Sequence, residues 1–360
     1  MKMIKNLEIY IYLIITLIIL IPFMMGNYLY SIDYIPDVSI YRYLDSFYGK
    51  IIPEYGGFSY FKIISFSISE EIFQKLIFFS ILFLSGYSTH LLVKKMTSSI
   101  MIPFYAGVLY MLNPYTYTRI LAGHWHILFS YAIVPFLLKT FIDLIEIKEK
   151  KEMVRFVLLL SIVAFNIHTL IISLFIISII FLCGFYKHKD IRILRIIIIS
   201  AILFIFLNSY WIIPVITTKN TVADNISDKD FELFAPKGGL FDIAAMYGFW
   251  REGYLYAKDF LPGWQILYLI ILSLTILGFI SYYKDDKIGI YVKAFAVIGI
   301  VGFILASGVN GPLGDIVRWL FDNTILKGFR DSHKFVAMMV LAYSVLGGLG
   351  LNKIKSVLHE

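Results

Sequence analysis

Arg330, Asp331, Ser332, His333 and Lys334 stand together just before a long apolar run. Arg330, His333 and Lys334 can all carry positive charge. A helix starting there would offer unpaired N–H groups and the positive end of its dipole, with Asp331 or Ser332 as its cap. Arginine and lysine beside such an end suit a phosphate group. Cations at a membrane edge also reach lipid phosphates simply by extending their stems, yet anchoring does not need a histidine next to a lysine. A second polar group is Asn113-Pro114-Tyr115-Thr116-Tyr117-Thr118-Arg119 followed by Gly123-His124-Trp125-His126. His124 and His126 could bind a metal, hydrogen-bond a polar ligand or shuttle protons. Without further context the segment reads as a polar turn with an interfacial Trp125. A third group is Asp33 and Asp37. Such acids can take a proton from a hydroxyl or hold a divalent cation; alone they read as a solvated acid and a helix cap. Asn166 and His168 read as a hydrogen-bonded turn, and His90, Cys183, Ser344 and Gly348 as packing residues.

The elements that must position these residues are membrane helices. The chain has 360 residues, of which 59% are hydrophobic and 16% charged, and its mean hydropathy is +0.79. A soluble domain of this length could not hide so much apolar surface. The apolar residues fall into ten runs, roughly 9–25, 73–93, 100–113, 125–146, 154–166, 168–186, 194–216, 264–283, 288–306 and 334–352. About 20 residues cross the hydrocarbon core, so 100–113 and 154–166 are short. The split within 154–186 falls at Asn166-Ile167-His168, because Asn and His are costly in lipid.

Charge supports that split. With the N-terminus inside, the short inner connections hold Lys94, Lys95, Lys148, Lys150, Lys151, Arg155, Lys187, Lys189, Arg192, Arg195, Lys284 and Lys287, and the tail holds Lys353 and Lys355. Among the short outer connections only Arg119 is basic. The chain is therefore expected to be an all-α polytopic membrane bundle, a single domain over 1–360, in the cell membrane with both termini cytoplasmic. The net charge of +7 belongs to membrane ends and anionic lipid, not to nucleic acid. The first span reads as retained, and the one cysteine excludes an intramolecular disulfide.

Three outer connections are long: 27–72, 217–263 and 307–333. Val38, Tyr41, Leu44, Phe47 and Tyr48 suggest a surface helix in the first, with Asp37 at its start. The second carries Asp224, Asp228, Asp230 and Glu232, which read as solvated, then the aromatic MYGFWREGYLY, which reads as packed or interfacial. Asn225-Ile226-Ser227 has the form of a glycosylation sequon. In the third, Ile316, Val317, Leu320 and Phe321 fall on one helical face, another surface-helix candidate. No GxxxxGK[ST] sequence is present, which argues against an ATP-driven pump in this chain.

The order of a first span, an acidic outer loop, then YMLNPYTYTRILAGHWHILFSYAIVPFLL and finally FRDSHKFVAMMVLAYSVLGGLGL resembles the GT-C superfamily of membrane glycosyltransferases. Within it the chain is most similar to the actinobacterial arabinofuranosyltransferases and their archaeal multi-pass relatives. The resemblance implies transfer of a hexosyl or pentosyl group from a polyprenyl-phosphate donor to a glycan, lipid or protein acceptor on the outer face. It implies that Asp33 or Asp37 acts as base or as ligand to a divalent cation. Arg330, His333 and Lys334 would then hold the departing lipid phosphate, and Arg119, His124 and His126 would line the pocket. Members of the superfamily commonly have more spans than the ten expected here and often a soluble outer domain, and the first outer loop of this sequence lacks adjacent acids. Two other readings stand beside it: a transporter or flippase for a lipid-linked glycan or polar solute, and a non-catalytic subunit of a glycan-assembly complex.

Overall fold

The computed structural model describes residues 7–26, 69–188, 190–217 and 226–359, and among these every regular element is helical. Seven helices are long and apolar enough to cross a membrane. They are α1 (Leu7–Met25), α2 (Glu70–Lys94), α5 (Trp125–Ile147), α7 (Ile167–His188), α13 (Trp264–Tyr282), α14 (Gly289–Ala306) and α16 (Val336–His359). The chain is thus an all-helical protein with the composition of a multi-pass membrane bundle.

Three of the ten expected runs take other forms. The run at 100–113 folds as α3 (Met101–Met111), followed at once by α4 (Pro114–Ala122). Asn113 explains the break: its Oδ1 accepts the Thr116 N–H at 3.0 Å, and Pro114 follows as first helical residue. The run at 154–166 becomes the 14-residue α6 (Lys150–Val163). It ends where the asparagine split was expected, since Asn166 Oδ1 accepts both the Thr169 N–H and its hydroxyl at 2.9 Å, starting α7. The run at 194–216 is not one rod. It divides into α8 (Ile191–Leu207) and α9 (Ser209–Thr217), bent by 81° at Asn208.

Two compact units emerge. The first comprises 1–92, 119–173 and 190–218; the second comprises 93–118, 174–189 and 219–360, so the division passes within α2, α4 and α7. In the first unit α5 is central, with 83% of its apolar window buried, whereas α1 buries only 17%. The stripe α1 does bury is Tyr12, Thr16 and Leu20, at helical spacing. Its C-terminal carbonyls are held by Lys75, whose Nζ donates to Met24 O at 3.1 Å and Gly26 O at 2.8 Å. His90 is buried with Tyr12, whose hydroxyl lies 3.3 Å from its Nδ1. At the base of α5, Lys148 takes a left-handed conformation and pairs with Asp190 at 2.9 Å, which also caps α8 through the Arg192 N–H.

The second unit is built around α16, which packs on α13, α14 and α3. Glycine sets the closeness. A Cβ at Gly278 would lie 1.9 Å from the Leu346 carbonyl oxygen, and one at Gly350 would lie 2.0 Å from that of Leu274. The two backbones are therefore pressed together reciprocally, the close approach small residues allow in lipid. Gly302 meets Met338 on the α14 side and Gly348 meets Ile102 on the α3 side, while Ser344 is fully buried. Three short helices follow one another before α13: α10 (Asp228–Leu233), α11 (Leu240–Ala244) and α12 (Ala257–Phe260). The connection before α16 contains α15 (Gly314–Asn323) and three 3-10 turns, Gly308–Asn310, Ile325–Gly328 and Ser332–Phe335. The face expected of α15 divides: Val317 and Phe321 are buried, Leu320 is partly exposed and Ile316 is exposed.

Candidate functional site

Within the second unit, the segment from Phe329 to Lys334 enters α16 through the 3-10 turn at Ser332–Phe335. Phe329 and Phe335 stack with centroids 4.7 Å apart and seat the segment in the core. Asp331 stands at the cap position but makes no capping hydrogen bond, and the Ser332 hydroxyl donates to Ala306 O at 3.2 Å instead. The expected cap is therefore replaced by a tie to the end of α14. Gly308 makes this approach possible: it is left-handed, and a Cβ there would meet Ser332 Oγ at 2.8 Å.

The three cations have different surroundings. His333 is buried, with its ring 5.5 Å from both Tyr115 and Phe249. Lys334 Nζ lies 3.8 Å from Asp331, both largely buried. Arg330 is the most open, with its side chain 38% exposed. It donates to Asp230 at 3.2 Å, and its guanidinium lies 4.3 Å over Phe234. Asp230 was expected to be a solvated acid. It instead accepts the Ser227 N–H at 2.9 Å and hydroxyl at 2.8 Å, capping α10. Those bonds, then the Arg330 charge, hold its carboxyl below the usual range.

The aromatic stretch of the same unit is packed. Tyr247 and Phe249 are buried, Phe234 and Trp250 meet edge to face at 4.4 Å, and Arg251 lies 5.3 Å over Trp250. Met246 is a left-handed non-glycine residue in this loop, the kind of backbone strain that surrounding contacts must hold in place. The Tyr343 hydroxyl of α16 donates to Ala244 O at 3.1 Å, and Lys258 bridges Asp242 at 2.7 Å while covering Tyr247 at 5.6 Å. Burial pushes the Tyr247 hydroxyl up to about 12, with Asp259 and Asp242 adding to it.

Within the first unit, Arg119 is completely buried and its Nη1 lies 2.9 Å from His124 Nδ1. An arginine can only donate, so this ring nitrogen accepts, and the neutral ring carries its proton on Nε2. Gly123, left-handed, turns the chain so that the His124 N–H reaches Arg119 O at 2.9 Å. His126 lies 6.3 Å from His124 by ring centroids. Trp125 is not interfacial: it is 2% exposed and packs on Phe165 at 5.7 Å. Trp125 itself turns inward because α5 is the buried centre of the unit, while His124 and His126 stay partly exposed.

Asp33 and Asp37, the suggested surface helix after Pro36, Asp224 and Asn225 lie outside the described residues. Among the described residues no group of three or more His, Cys, Asp or Glu could hold a metal. Asp230, Phe234, Tyr115 and Phe249 were not read as site residues from the sequence. The aromatic richness of MYGFWREGYLY hinted only at Phe249; Asp230 and Phe234 owe their place to Arg330, about 100 residues further along the chain. No family model, curated protein or solved structure matches this chain.

Proposed function

We propose that this protein crosses the membrane ten times with both ends in the cytoplasm, and that it transfers a sugar from a polyprenyl-phosphate donor to an acceptor on the outer face. The observation that carries the reading is the Arg330 environment. A half-exposed guanidinium at the mouth of the last long apolar helix is aimed by Phe234 and a carboxylate. A guanidinium fork matches phosphate oxygens two at a time. As the donor's bond to its sugar breaks, charge builds on the phosphate, and a fixed cation there lowers the barrier. Asp33 or Asp37 takes the acceptor hydroxyl's proton. For the count of ten, α3 and α6 serve as the third and fifth crossings; the basic residues at 94–95, 148–155 and 187–195 then all fall on one side.

The test is release of polyprenyl phosphate from a labelled polyprenyl-phosphate sugar by the protein in lipid vesicles with a membrane acceptor fraction. Asp33→Asn or Asp37→Asn should abolish release while the protein still elutes as a folded species. Full activity in both variants would remove the proposed base.

One observation favours the transporter reading. Transporters bind substrates where helices are interrupted, and α8–α9 is bent by 81° at a buried asparagine. Movement of a fluorescent lipid-linked sugar between leaflets, with no sugar transferred, would establish that reading instead.

A further inference from the structure

Helix α10 is tied to two arginines in the same manner. Asp228 pairs with Arg318, whose guanidinium lies 4.8 Å over Phe231. Asp230 pairs with Arg330, whose guanidinium lies 4.3 Å over Phe234. Each arginine is clasped between an aspartate and a phenylalanine of one short strap.

The two clasps are not equivalent. Arg318 keeps a second carboxylate on its own helix, Asp322 at 2.8 Å, and its strap partner Asp228 is 82% exposed. Asp230 is more enclosed, at 26%, and divides its oxygens: Oδ2 serves the Ser227 cap and Oδ1 serves Arg330. The strap can therefore give up Arg330 without losing its own cap, and Phe234 can go on supporting the guanidinium. A carboxylate is also the side chain closest to phosphate in this role, since it is anionic, accepts only, and matches the guanidinium fork.

We propose that Asp230 is an internal stand-in for phosphate at Arg330: a phosphate-bearing ligand binds by displacing this carboxylate, and α10 loosens as it does so. The proposal rests on reading Arg330 as a phosphate-binding residue. Asp230 is then a positioning residue that keeps the guanidinium extended over Phe234 and unavailable to weak anions. The exchange is energetically accessible. A partly exposed ion pair contributes little net stability, so its presence should weaken phosphate binding by about two- to fivefold.

The experiment titrates the full-length protein, in nanodiscs of zwitterionic lipid, with a ten-carbon prenyl monophosphate and separately with inorganic phosphate. Asp230→Asn should tighten binding of both about two- to fivefold, because it acts on the phosphate common to them. In the wild-type protein, amides of 228–234 should exchange faster when the prenyl phosphate is saturating. Unchanged or weaker binding in Asp230→Asn, or slower exchange in the strap, overturns the proposal. Should Asp230→Asn fail to fold, the wild-type exchange result decides alone. Arg330→Ala separates the two ideas. If it abolishes binding while Asp230→Asn binds like wild type, the stand-in is wrong and the phosphate reading survives. If Arg330→Ala binds normally, both are wrong.

Discussion

At the scale of single residues, the Arg119–His124 pair makes a sharp demand. A buried arginine needs acceptors, and His124 supplies one through a ring nitrogen 2.9 Å away. Asparagine has an acceptor oxygen at nearly the same reach, whereas leucine has none. His124→Asn should therefore unfold within a few degrees of wild type, while His124→Leu should lose about 1.5–3 kcal/mol, the range for hydrogen bonds to charged groups. Thermal unfolding in detergent, followed by elution as a monodisperse species, measures the difference. Equal stability of the two variants would mean that the contact contributes nothing to the fold. The pair also shows what a sequence conveys about chemistry. Arg119 and His124 are five residues apart and were legible as a polar group, but the left-handed Gly123 that brings the His124 N–H back to the Arg119 carbonyl decides their geometry. Asp230 was legible only as an acid, since its arginine lies 100 residues further along the chain.

At the scale of elements, the α13–α16 contact depends on having no side chain at two points. A methyl group at Gly278 or Gly350 would overlap a carbonyl oxygen of the facing helix. Backbone cannot rotate away as a side chain can, so the helices must separate. Gly278→Ala and Gly350→Ala should each cost about 1–3 kcal/mol, read as a lowered thermal midpoint. Because each substitution forces the same separation, the double variant should cost less than the sum. Simple additivity would show that the two contacts yield independently. The long apolar helices were readable in advance, because length and hydropathy alone define them. The breaks were less so. Asn166 announced itself as a polar interruption, but Asn208 sits in an otherwise apolar run. One of its bonds is local, its Oδ1 accepting from Trp211 Nε1 at 3.0 Å, and one is tertiary, its Nδ2 donating to Ser161 Oγ at 2.8 Å. The two bonds meet at the bend between α8 and α9, and no local pattern predicts the second.

At the scale of the whole molecule, the open quantity is the number of crossings. Among the described residues seven helices suffice by length and composition, and the bent α8–α9 pair, taken as one span, brings the total to eight. The remaining two, α3 and α6, span about 16 Å and 21 Å at 1.5 Å per residue, against a hydrocarbon core of about 30 Å. Length alone would leave them out. The proposed count of ten adds them on charge: with α5 a crossing, Lys94 and Lys95 share a side with Lys148 to Arg155 only if α3 crosses too, and with α7 a crossing, Lys148 to Arg155 share a side with Arg192 and Arg195 only if α6 crosses too. A short helix can still cross where lipid thins or an adjoining segment completes the path, and α4 directly continues α3. The lone cysteine makes this measurable: in a Cys183→Ala background, single cysteines can be placed one at a time. A membrane-impermeant thiol reagent added to intact cells should leave positions 98, 149 and 285 unlabelled and should label positions 252 and 322. Labelling at 149 but not at 98 would mean that one of α3 and α5 does not cross. The basic clusters would then lie on opposite faces, and the outer placement of Arg330 would have to be argued afresh.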